Sequence, residues 1–133
     1  MRMASCFALG VTAAALAACG GGGGGGGGAA SCTPTTMASM TITAAGVTPI
    51  NACVLPAGTV SFKNNDTVAH HIVFDVGGCP TLAQIDPGAT GSAVFPPVTS
   101  QLNCSFHDGA APTNTAFQGT VAVTLATVSG GGY

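Results

Sequence analysis

Nine consecutive glycines, Gly20–Gly28, divide this chain more sharply than any other feature. A glycine run buries no apolar area to offset the entropy of ordering it, so it stays a flexible coil and cannot belong to a packed core. Whatever folds must therefore lie on one side of it. The residues before it are too few for a domain. About 100 residues follow it, enough for one domain with a single core.

The residues before the glycines read as a leader. Arg2 supplies a positive start, Phe7–Ala15 is a short apolar stretch, and Leu16-Ala17-Ala18-Cys19 places small residues ahead of a cysteine. The apolar stretch is too short to span a bilayer as a helix and fits a signal peptide. Leu-Ala-Ala-Cys resembles a bacterial lipobox. The resemblance implies cleavage before Cys19 and lipid attachment to its thiol. The alternative is an ordinary signal peptide cut nearby, with Cys19 a bystander. The expected organisation is a lipoprotein signal peptide over 1–18, a lipidated cysteine and polyglycine tether over 19–31, and a folded domain over 32–133. The expected location is the bacterial cell envelope, with the domain lipid-anchored to a membrane. It would face the periplasm or sit at the outer membrane, which sorting rules favour when the residue after the cysteine is Gly20 rather than Asp.

Charge narrows function by exclusion. Beyond Arg2 the only cation is Lys63, and Asp66, Asp75, Asp86 and Asp108 are the only acids. Nothing can neutralise a phosphate backbone, so nucleic-acid binding is not expected. With no Glu, and no Ser–His–Asp spacing in a recognisable context, a hydrolase has no support. An enzyme is not expected.

Short segments rich in Val, Ile, Thr and Phe alternate with Gly, Pro, Asn and Asp. Strands are expected near Met40–Ala45, Asn51–Leu55, Thr59–Asn64, His70–Val76, Gly91–Phe95, Ser100–Cys104 and Gly119–Thr127, with no trustworthy helical period. That many short strands point to an all-β, two-sheet sandwich. Alternation along a strand then assigns faces. His70, Ile72 and Phe74 share a face that should turn inward, with His71 opposite. Leu102 and Cys104 share another, so His70 and Cys104 could meet at one pole.

The stretch Cys104-Ser-Phe-His107 carries two possible metal ligands, and His70 is a third. Two imidazoles and a thiolate suit copper cycling between Cu(I) and Cu(II). Taken with Ala57–Asp66, Ala69–Asp75 and Phe117–Val123, the chain resembles the plastocyanin/azurin family of blue copper proteins, in the family's order and over most of the domain. The resemblance implies a Greek-key cupredoxin-like sandwich of about seven or eight strands. It also implies copper as cofactor, His70, Cys104 and His107 as ligands, and one-electron transfer with a redox partner protein.

The chain departs from that family at the site. Phe117 stands where an axial Met is usual, with Gln118 beside it as a weak axial candidate. The loop Asp108–Ala116 is long. His71 follows the first histidine where Asn is common. Four cysteines remain after Cys6 and Cys19: Cys32, Cys53, Cys79 and Cys104. In an exported domain they allow two disulfides. A Cys79–Cys104 bond would leave no thiolate for copper and describe a metal-free structural or binding lipoprotein. A third arrangement, Cys79 joining Cys104, His70 and His107, would suit zinc.

Overall fold

The computed structural model describes residues 32–126. The expected leader, Cys19 and the glycine tether lie outside the described residues. Seven strands make up the fold: β1 (Thr35–Thr43), β2 (Gly46–Thr48), β3 (Asn51–Asn64), β4 (Ile72–Phe74), β5 (Thr90–Val94), β6 (Leu102–Asp108) and β7 (Gln118–Val123). A 3-10 turn, Thr115–Phe117, precedes β7 and is capped by the Asn114 side chain, which accepts from the Ala116 amide.

One strand organises the rest. The first part of β3, Asn51–Val54, runs parallel to β7, while its second part, Thr59–Asn64, pairs with β1 on one side and β5 on the other. The two stretches anticipated from sequence are thus one long strand. It bends at Leu55-Pro56-Ala57-Gly58, where Ala57 takes a φ of 62°. Gly58 is required there, because a Cβ would lie 2.7 Å from the Leu55 carbonyl oxygen and 2.9 Å from Val54 Cβ. Around the bend, β2, β1, the end of β3 and β5 form one layer. The start of β3 with β7, β6 and β4 forms the other.

The core fills the space between the layers. Met40, Ile42, Val60, Phe62 and Ala93 face Ile72, Cys104, Phe106, Val121 and Val123, all buried. Phe62 from the first layer meets the Phe106 ring of the second edge-on at 5.6 Å, and Phe74 packs edge-on against Phe95 at 5.5 Å. Phe106 sits opposite Gly119 in the β6–β7 register. A methyl at Gly119 would lie 2.6 Å from the Phe106 ring and 2.0 Å from the Ile50 carbonyl oxygen. Gly119→Ala should therefore lower stability by about 1–3 kcal/mol through overpacking, read as a fall in the urea midpoint with an unchanged slope.

Three departures from the sequence expectation matter. Strand β1 begins five residues earlier than Met40, and β2 was not anticipated. His70 lies outside β4 and is held by an isolated bridge to Ile85, with hydrogen bonds of 3.0 and 2.7 Å between the two backbones. Strand β6 does not end at Cys104 but continues to Asp108, paired with β4 and β7 along that extension.

Candidate functional site

The extension of β6 decides what its side chains can do together. Along Leu102–Asp108, Cys104, Phe106 and Asp108 point into the core, while Asn103, Ser105 and His107 point out. Residues three apart on a strand lie on opposite faces. Cys104 and His107 therefore diverge instead of turning around one ion.

Cys104, fully buried, is bonded to Cys79. A second disulfide joins Cys32 to Cys53 at the start of the domain. With this pairing neither Cys79 nor Cys104 is left as a thiolate.

His70 is buried at the pole, as its face predicted, but among carboxylates. Its Nδ1 lies 2.6 Å from Asp108 Oδ2 and its Nε2 lies 3.0 Å from Asp66 Oδ2. Each partner is presented by local structure. The fully buried Asn64 closes the turn after β3 by donating to the carbonyls of Val68 and Ile85. It also accepts the Asp66 amide at 2.8 Å. Asp108, at the inward end of β6, also accepts the amides of His71 and Ala110 through Oδ1, each at 3.1 Å. With a carboxylate at each nitrogen, the ring is best satisfied as an imidazolium that donates twice. Burial works against that charge, yet the hydrogen bonds that His70 donates to Asp108 and Asp66 outweigh it, and the His70 pKa is raised. Burial likewise opposes charge on Asp108, but His70 and the two amides prevail and its pKa is lowered. Asp66 is lowered chiefly by the Thr67 amide, then by His70.

Phe117, expected at the axial position, instead stacks its ring on His70 with centroids 5.3 Å apart and planes 18° from parallel. An aromatic face over an imidazolium adds a cation–π attraction. Gln118 is on the outer face, paired with His107 in the β6–β7 register, and its side-chain amide donates to the Pro112 carbonyl at 2.7 Å. His107 Nδ1 lies 2.7 Å from Asp75 Oδ1, also on the outer face. His71 is exposed, with its Nε2 3.0 Å from the Leu82 carbonyl oxygen.

The expected set of His70, Cys104, His107 and Gln118 therefore does not converge. Among the described residues no three His, Cys, Asp or Glu side chains are grouped so as to hold a metal ion. The residues do not fit copper: one thiolate is spent in a disulfide, both His70 nitrogens face carboxylates, and His107 and Gln118 lie across the sheet. Two clefts flank this region. One, about 480 Å³, opens on the outer face over Ser105 and His107. The other, about 180 Å³, runs between His71–Phe74 and Cys79–Leu82.

No protein-family model and no curated protein matches the chain. Solved structures do. A purple cupredoxin from Nitrosopumilus maritimus aligns with a TM-score of 0.54 at 22% identity, over 65% of this chain and 99% of that one. Auracyanin from Roseiflexus castenholzii gives 0.57 at 16%, over 69% and 99%. Amicyanin from Paracoccus versutus gives 0.55 at 14%, over 68% and 84%. At such identities the likeness is one of fold, and residues 32–126 adopt a cupredoxin-like β-sandwich.

Proposed function

We propose that this chain is a non-enzymatic, copper-free binding or scaffolding domain of the bacterial envelope, held to a membrane by a lipid on Cys19 and spaced from it by the glycine tether. The observation that carries this reading is the Cys79–Cys104 disulfide, which takes up the thiolate a copper centre would need. The Asp66–His70–Asp108 cluster supports it, since charge-assisted hydrogen bonds there tie the turn after β3 to the end of β6. The anchor rests on Leu16–Cys19 and the glycines.

The competing reading is one-electron transfer to a redox partner through copper on His70, Cys104 and His107. It draws on neighbours of the same fold, including an amicyanin variant described as Cu(I). It requires a reduced Cys104 and a β6 that stops before His107. A thiol count and a visible spectrum separate the two. The full chain, purified without reductant and unfolded in an alkylating agent, should show no free thiol among Cys32, Cys53, Cys79 and Cys104. Adding Cu(II) to the folded protein should give no intense thiolate-to-copper band. A coloured adduct abolished by Cys104→Ser would restore the electron carrier.

A further inference from the structure

The larger cleft lies on the outer face of the layer formed by β4, β6 and β7, away from the buried His70 cluster. Its floor comes from register neighbours: Ser105 of β6 opposite Thr120 of β7, and His107 opposite Gln118. Asp75, just past β4, borders it at ion-pair distance from His107, and Thr115 also lines it. At about 480 Å³ it falls within the usual ligand-site range of roughly 300–1,000 Å³.

The chemistry of the lining excludes most ligand classes. Among the described residues no Lys or Arg borders the cleft, so a phosphate or carboxylate ligand has no Lys or Arg to pair with. Its single carboxylate already sits against its single imidazole, which leaves no ligand set for a cation. The walls are mostly polar side chains, unsuited to a lipid or an aromatic compound. A peptide adding as a strand finds no free edge on the strands that floor the cleft, because β6 is paired by β4 and β7, and β7 by β6 and β3. What remains are hydroxyls and an amide oxygen with donor and acceptor capacity to spare. Ser105, Thr115 and Thr120 make no side-chain hydrogen bond among the described residues. Gln118 uses its amide nitrogen on Pro112, which leaves its oxygen to accept. A carboxylate, an imidazole, hydroxyls and an amide oxygen around an open cleft match the vicinal hydroxyls of a sugar.

We infer that this cleft binds a neutral saccharide, of the size of a mono- or disaccharide or the end of a longer glycan. The inference rests on His107 being free of copper, as in the proposed function. The test is ligand-observed saturation-transfer NMR on the full chain, with N,N′-diacetylchitobiose, cellobiose and maltose as probes. At least one should receive saturation. Thr120→Val, which keeps the side-chain shape, and Ser105→Ala should each weaken it about threefold to tenfold, the loss of one or two hydrogen bonds. Ser92→Ala, on the outer face of the other layer, should leave it unchanged. Saturation of none of the three sugars would overturn the inference, as would binding undiminished in both cleft variants. If sugar binding fails while the protein stays colourless with Cu(II), only the cleft assignment falls. A blue adduct lost in both His107→Ala and Cys104→Ser would instead overturn the copper-free reading beneath it.

Discussion

Replacing Cys79 and Cys104 together by alanine should lower the unfolding free energy by about 3–4 kcal/mol. The bond closes a loop between residues 25 apart in sequence. Releasing a loop of that length returns entropy to the unfolded chain worth about 3.5 kcal/mol. The double variant avoids burying a lone thiol or a serine hydroxyl in the core, so the measured change reports the crosslink together with the packing of its sulfurs. A typical domain is stable by only about 5–15 kcal/mol, so this loss is a large fraction of the whole. Chemical unfolding of the oxidised protein and the double variant should show it as a lower midpoint. A difference below about 1 kcal/mol would mean that the bond does not form in the protein.

The second large effect belongs to the Asp66–His70–Asp108 cluster. Asp108→Ala should cost about 3–5 kcal/mol near neutral pH, the range for removing one partner of a buried ion pair. It strips the buried His70 of its closer carboxylate and orphans the amides of His71 and Ala110. The pH profile distinguishes this from a mere packing defect. The His70 pKa is raised on folding, so its contribution is complete below its unfolded value of about 6.5 and disappears as pH rises through the higher folded value. Asp108 and Asp66 are lowered, so theirs are present above the unfolded value near 4 and disappear as pH falls through the lower folded ones. The wild-type chain should therefore be most stable between those limits and weaken on both sides. Asp108→Ala should flatten the decline above neutrality, because His70 then loses the stronger cause of its raised pKa. Parallel profiles for the two proteins between pH 6 and 9 would refute the assignment.

The sandwich was legible because strand patterning survives without any knowledge of partners. Val60 and Phe62, and Ile72 with Phe74, turn toward the core as alternation requires. The site was less legible because it depends on where one strand stops. If the strand ended at Cys104, a following loop could swing His107 back toward His70. Three rungs of pairing with β4, Phe74 with Phe106, Val73 with His107 and Ile72 with Asp108, keep the chain extended and send His107 outward. The same parity carried an unused signal: Asp108, four residues from Cys104, shares its inward face and so reaches His70. Asp66 gave no comparable hint, since it is delivered by a turn that the Asn64 side chain organises. The choice among disulfide pairings could not be read from spacing, because it depends on which strands become neighbours.

The unequal burial of its two sulfurs sets the chemistry open to the Cys79–Cys104 bond. Cys79 borders the smaller cleft and is only partly buried, whereas Cys104 is wholly enclosed. A foreign thiolate must approach an accessible sulfur in line with the bond it breaks, which here means attack at Cys79 with Cys104 as the leaving group. A thiolate expelled into an apolar interior is a poor leaving group, because burial raises the pKa of the thiol it would become. Exchange with small thiols should therefore be slow until the sandwich opens. In a compartment with constant thiol traffic, the lifetime of this crosslink is then governed by the unfolding rate of the domain rather than by the ambient redox potential.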